Sequence, residues 1–329
     1  MMLDFWTAVL VFTTFLYASL DGFDLGIGML LPFVRDAAER DRMLATIAPV
    51  WDGNETWLVM SATVMFGVFP LFYATLMSAF YLPLMVMLAG LIFRGVAFEF
   101  RERSRRTKWL WDWGFIAGSY VAAFIQGMAI GALADGLPMA GTRYVGGAFG
   151  WLSPFALFCG MGLCLGYALL GAAWLAYKST RATQQLAFRL LPRLLAGVLV
   201  FLALAFIATW FRDGLLMERW FEQPTLLLLP LAGLAISALM ATAIARRLEL
   251  APFLCAVALF AVGLGTFVVS FYPYMIPFAI TTTEAAAPHS SQAFLFWGVG
   301  VFVMPLTVAY SLVIYFLFKG KVGDDDPAY

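Results

Sequence analysis

Charge is scarce in this chain: only 12% of its 329 residues are Asp, Glu, Lys or Arg. An ordinary soluble domain carries about a quarter charged residues and needs them to clothe its surface in water. Here 63% of the residues are hydrophobic and 17% aromatic, which excludes a soluble globule and defines an integral membrane protein. The twenty basic and twenty acidic residues cancel, so there is no overall field to hold a nucleic acid, and that class of partner is excluded. Cysteine is sparse too. Cys159, Cys164 and Cys255 all lie in apolar stretches and form no C-x-x-C pair, so no disulfide framework, zinc site or covalent haem attachment follows from them. Nucleotide-binding glycine loops, the G-x-S-x-G nucleophile turn and H-E-x-x-H are all missing. The one histidine, His289, falls in a loop. Buried haem normally takes His, Met or Cys as axial ligand, and the sixteen methionines read more simply as apolar packing. No cofactor is expected to be ligated by this chain.

What is present is long apolar runs. A membrane-crossing helix needs about 20 of them in a row, and breaks at charge, proline and glycine divide the chain into nine: 5–33, 53–72, 75–98, 112–134, 151–177, 193–211, 225–245, 251–273 and 291–318. The expected fold is therefore an all-α polytopic membrane protein, one membrane domain over 1–329 with a short tail at 319–329. The first run has no basic residue ahead of it and no A-x-A-like site behind it, so it is expected to be kept as a span. Sixteen Lys and Arg follow spans one, three, five, seven and nine, against three in loops of the other parity. Cytoplasmic loops are enriched in these residues, which predicts an exterior amino terminus and a cytoplasmic carboxyl terminus. The acidic run Asp324–Asp326 reads as a solvated end. No repeat at a fixed period is visible. Glycines four apart, Gly22 and Gly26, Gly127 and Gly131, Gly162 and Gly166, are expected to let helices pack closely. Pro305 is expected to kink the last span or to be covered by its neighbours.

Charges at membrane depth are the informative residues, because each is unfavourable by at least about 2.5–3.5 kcal/mol on insertion scales. Asp21 and Asp24 fall in span one, Asp52 and Glu55 open span two, Arg94 lies in span three, and Arg101 stands just beyond it. At about 1.5 Å of rise per residue, three successive helices bring these groups to one level near the cytoplasmic side. Two kinds of reading stand side by side. Asp52 followed by Glu55 matches a capping box at the start of span two, and Arg94 can pair with both Asp21 and Asp24. The functional reading is a hydrated proton path, in which the same carboxylates relay protons from the cytoplasm. Glu99, Glu102, Arg103 and Arg106 read as a solvated run with i,i+4 pairs.

The segments DGFDLGIGML at 21–30, APVWDGNETWLV at 48–59, FRGVAFEFR at 93–101 and WDWG at 111–114 resemble subunit II of the cytochrome bd family of quinol oxidases, and the order, spacing and nine-helix plan fit along the chain. The modest length is similar to the cyanide-insensitive branch. The resemblance implies a partner, a haem-bearing subunit I with haem b and a third haem of d or b type. It also implies that the complex oxidises quinol and reduces oxygen to water in the bacterial inner membrane, with a small single-helix accessory subunit as a further partner. Subunit II of such enzymes carries no haem and is associated with delivery of cytoplasmic protons. By the resemblance the site positions are Asp21, Asp24, Asp52, Glu55, Arg94 and Arg101, with Trp51 placed to pack against a quinone or lipid tail. The alternative from the residues alone is a proton-coupled secondary transporter, whose coupling ion would bind intramembrane carboxylates.

Overall fold

The computed structural model describes residues 1–104, 106–212 and 214–323; Arg105 and the expected acidic tail from Asp324 onward lie outside the described residues. The chain folds into helices α1 (Met2–Leu30), α2 (Ala37–Ala45), α3 (Trp51–Val68), α4 (Pro70–Arg103), α5 (Lys108–Asp135), α6 (Pro154–Lys178), α7 (Arg181–Arg212), α8 (Gly214–Glu222), α9 (Leu228–Ala245) and α10 (Ala251–Phe271). After them come α11 (Thr282–Ala285), α12 (His289–Leu295) and α13 (Met304–Leu317). Eight helical stretches among the described residues are long and apolar enough to cross a membrane. They match eight of the nine expected runs. The remaining run is α3, whose 18 residues make a rod of about 27 Å but whose first turns hold Asp52, Asn54 and Glu55. Its polarity marks it as the helix that meets the functional groups.

Two helices outrun the expected spans. The apolar run of 75–98 is the middle of a 34-residue α4 that carries Arg101 and Arg103 in its last turn, and the run of 193–211 is the later part of a 32-residue α7. Helices of this length reach about 50 Å, well past a hydrocarbon core of about 30 Å, so their charged ends stand beyond it. At Pro305 the chain solves its missing N–H by widening. Residues 296–303 form a π-helical stretch immediately ahead of Pro305, inside one continuous helix that runs from His289 to Leu317, the kind of local adjustment that accommodates a proline within a membrane helix.

The first helix is central. It packs against α3, α5, α6 and α10, while α4 lies on α5, α7 on α6 and α9 on α10. Two of the three glycine pairs bring helix backbones together as the sequence predicts, whereas Gly162 and Gly166 face the rings of Phe201 and Phe260. Gly22 and Gly26 face Tyr167 and Gly171 of α6, and a Cβ on Gly26 would stand 1.9 Å from the backbone oxygen of Tyr167. Gly127 and Gly131 of α5 meet Cys159 and Gly160 of α6 in the same way. Two short antiparallel hairpins, β1 (Met139–Ala140) with β2 (Arg143–Tyr144) and β3 (Tyr274–Ile276) with β4 (Ile280–Thr281), occupy loops at the end of the bundle opposite the cation-rich loops.

The last span is tied down mainly at its ends. The Trp6 indole donates to the Gln292 carbonyl at 3.2 Å, and at the cation-rich end the buried ammonium of Lys178 donates to the carbonyls of Phe318 and Gly320 just past α13. Lysine is well suited to this place, because the last carbonyls of a helix have no partners of their own and attract a cation.

The α1–α6 contact leaves no room to relax, since backbone faces backbone. Gly26→Ala is expected to destabilise the protein by about 1–3 kcal/mol, whereas Gly265→Ala, with nothing within 4 Å of the added carbon, is expected to leave the thermal midpoint of the purified protein in place. Thermal denaturation of the two variants side by side checks this.

Candidate functional site

The carboxylates and guanidinium expected at one level are brought together by α1, α3 and α4, but not all of them: Arg94 pairs with Asp21 as expected and not with Asp24. Arg94 is 1% exposed, and its Nη2 donates both to Asp21 Oδ1 at 2.6 Å and to Glu55 Oε1 at 2.5 Å. Asp21 is fully buried and Glu55 is 28% exposed. A lone guanidinium in hydrocarbon is strongly unfavourable, and here one cation is shared by two carboxylates from two other helices. Arg94 Nε and Nη1 are buried and have no hydrogen-bond partner among the described residues.

Asp24, expected to pair with Arg94, does not. Its Oδ2 accepts from the Asn54 amide at 2.8 Å. The same NH2 group reaches the Leu20 carbonyl at 3.3 Å, and Asn54 Oδ1 accepts from the Tyr315 hydroxyl at 2.8 Å. The physical reason is helix geometry: Asp21 and Asp24 are three apart, about 60° short of a full turn, so only one of them can aim at Arg94 while the other aims at α3. Asn54 and Tyr315 were not foreseen. The signal for Asn54 was available, since it is the chain's only asparagine and opens a membrane helix. Nothing marked Tyr315 among twelve tyrosines.

Two further expectations are corrected. Asp52 does not cap α3, because the capping position is Val50 and makes no side-chain bond. The helix begins two residues earlier than a capping box would require, which moves Asp52 onto its exposed face and turns Glu55 to Arg94. Arg101 does not join the cluster either. Seven residues past Arg94, or about 10 Å along α4, it is 3% exposed and bonds Asp112 of α5 through Nε and Asp41 of α2 through Nη1. Arg40 Nη1 reaches Asp112 Oδ2 at 2.8 Å, and Lys108 Nζ reaches Asp41 Oδ2 at 2.8 Å. This second network fastens the α2 segment across the cation-rich ends of α4 and α5. Asp112 lies within the WDWG segment, and its role as the anchor of Arg101 was hidden by its place in a charge-dense stretch.

Trp51 packs against α4. Its ring lies over Gly95 and at 5.2 Å from the ring of Phe98. Deeper in the bundle, the Tyr167 hydroxyl donates to Gln126 Oε1 at 2.8 Å, and Gln126 Nε2 donates to the Tyr17 hydroxyl at 2.7 Å. His289 is exposed at the start of α12. The buried polar groups around the cluster are carboxylate, guanidinium, amide, phenol and the hydroxyls of Thr13, Ser19 and Ser61, a set that offers no histidine as axial ligand to a haem. No group of three or more potential metal-ligating side chains occurs among the described residues.

The arrangement defines a polytopic helical membrane protein with a neutralised, partly accessible acid–base cluster near its cation-rich end. The residues 2–318 match the family model for cytochrome bd terminal oxidase subunit II, and the chain belongs to that family. It is 30% identical to a probable cytochrome oxidase subunit 2 of Haemophilus influenzae, over 95% of this chain and 89% of that protein. It is 29% identical to the cytochrome bd-I ubiquinol oxidase subunit 2 of Escherichia coli K12, over 94% and 92%. The corresponding subunit of Bacillus subtilis is 26% identical over 98% of both chains. The fold matches a chain of the bd oxidase of Geobacillus thermodenitrificans with a TM-score of 0.77, at 16% identity, over 96% of this chain and 99% of that one. The protein is accordingly a subunit of a bd-type quinol oxidase and a multi-pass protein of the bacterial inner membrane, and the transporter alternative falls away.

Asp41 gives the second network a pH dependence. Burial pushes its carboxyl up, but the hydrogen bonds from Lys108 and Arg101 outweigh burial and hold it below the usual carboxylate value. A carboxylate held low contributes stability above its unfolded value of about 3.9, and that contribution is lost as pH falls through the lower folded value. The α2 segment is therefore expected to loosen only below about pH 4, and Asp41→Asn is expected to loosen it at every pH. Limited proteolysis across residues 36–46 as a function of pH reads this out.

Proposed function

We propose that this chain supplies cytoplasmic protons to a haem-bearing subunit I, entering at Asp52 and passing to the Glu55–Arg94–Asp21 cluster. The observation that carries this reading is the exposure of α3. Asp52, Thr56, Val59, Thr63 and Phe66 form an exposed stripe at helical spacing along a membrane helix, with Glu55 partly open beside it. A stripe that holds carboxylate and hydroxyl groups is poorly suited to lipid, and the subunit boundary is its natural cover. The face of α13 next to it is likewise open, with Leu306, Tyr310 and Val313 exposed and Tyr310 beside Gly53 of α3.

In this reading the amino terminus is outside and the cation-rich end is cytoplasmic, in line with the distribution of Lys and Arg. The partner holds haem b and a haem of d or b type, which supply the electron transfer from quinol to oxygen. This chain's own residues handle protons. Reduction of one O2 to two waters takes up four protons with four electrons, and protons drawn from inside while quinol releases its own outside transfer charge without a pump. Each charge moved across 100 mV is worth about 2.3 kcal/mol. Trp51, seated on Gly95 and Phe98, closes the α3–α4 seam beside the entry point and offers its open edge to a lipid or quinone tail.

Complexes purified through a tag on this chain are expected to carry a large membrane subunit and haem bands in the reduced-minus-oxidised visible spectrum. Within such complexes Asp52→Asn is expected to slow oxygen consumption at unchanged haem content. Unchanged turnover at full haem content would overturn the proton role of Asp52, and haem loss would assign it to assembly.

A further inference from the structure

The proton-delivery reading treats the carboxylates as equivalent, and their hydrogen bonds say otherwise. Tyr167 donates to the Gln126 oxygen, and the Gln126 NH2 donates to the Tyr17 oxygen, so this neutral chain ends on Tyr17, one helical turn along α1 from Asp21. Asp21 uses Oδ1 for Arg94, and its buried Oδ2 takes no hydrogen bond from any other described residue. Asp21 is thus sealed from water and held, among the described residues, by Arg94 alone. Asp24 is fully buried and bound to Asn54, which Tyr315 and the Leu20 carbonyl hold in one orientation.

Glu55 differs on each count. It is the only one of the three that is partly exposed, it stands on the helix that carries Asp52, and its carboxyl accepts a hydrogen bond from Arg94. The charged groups acting on it are Arg94 from α4, Asp21 and Asp24 from α1, and Asp52 from its own helix. One guanidinium faces several carboxylates, so charge balance at this depth requires bound protons. We infer that Glu55 is the carboxylate that takes up and releases the proton, while Asp21, sealed from water, stays bound to Arg94. The step is a simple exchange: a Glu55 oxygen forms an O–H bond as the donor on the Asp52 side loses one. That bond then breaks in the direction of the partner, while Arg94 keeps Asp21. The inference rests on the proton-delivery reading and is tested apart from it.

The test uses the assembled oxidase and two readouts, the infrared difference spectrum between acid and alkaline buffer and the pH profile of oxygen consumption. The wild-type protein is expected to show a titrating protonated-carboxyl stretch that disappears in Glu55→Gln, with oxygen consumption slowed by roughly tenfold or more. In Glu55→Asp, which keeps a carboxyl and so guards against failure of the glutamine variant to assemble, the same band is expected to persist at a displaced frequency. A carboxyl band that survives in Glu55→Gln, or is not displaced in Glu55→Asp, overturns the assignment to Glu55 even if Asp52→Asn slows turnover. If Asp52→Asn and Glu55→Gln both turn over like wild type, the delivery reading fails, and this inference fails with it.

Discussion

A guanidinium held in hydrocarbon needs a negative charge within reach, and in this protein that requirement organises the first three spans. Arg94 of α4 is satisfied only if α1 presents Asp21 and α3 presents Glu55 at the same depth. Removing one partner of a buried ion pair typically destabilises by about 3–5 kcal/mol, because the remaining charge is left uncompensated. The close approach of α1 to α6 at Gly22 and Gly26 fixes the rotation of α1 and hence the direction of Asp21. The same rotation sends Asp24 to Asn54 and, through it, to Tyr315 on the last span. Packing and electrostatics are one constraint seen from two sides.

Two ionic networks divide the labour along α4. The upper one around Arg94 has an oxygen partly open to the α3 face and is suited to exchange with water. The lower one around Arg101 joins α2, α4 and α5 by four ion pairs between two carboxylates and three cations, which suits it to hold a loop in place. Placing them about 10 Å apart on one rigid helix keeps the anchor from disturbing the exchanging group.

Much of this was legible in the residues. Span positions follow from apolar runs, helix contacts from glycine spacing, and the meeting of Asp21, Glu55 and Arg94 from their shared depth. Depth is a one-dimensional coordinate, and it misleads where rotation decides. Asp24 lies at the right level but on a different bearing, Arg101 lies on nearly the bearing of Arg94 but about 10 Å further along α4, and Asp52 was placed in a cap because helix α3 starts two residues earlier than its polar pattern suggests. The neutral members of the site, Tyr17, Gln126, Tyr167, Asn54 and Tyr315, are spread over five helices. Their part arises only from which way each side chain faces across an interface, a quantity that spacing along one helix does not contain.

The position of the Arg94 cluster in the chain also bears on how the protein is made. Arg94 and both of its carboxylates fall within the first 94 of 329 residues, so the charges least welcome in a membrane can neutralise one another while most of the polypeptide is still being synthesised. Tyr315 comes last and reaches back 261 residues to Asn54. Its arrival closes a hydrogen bond whose other members have been waiting since the second span, which gives the finished subunit a chemical mark that separates it from a chain still emerging from the ribosome.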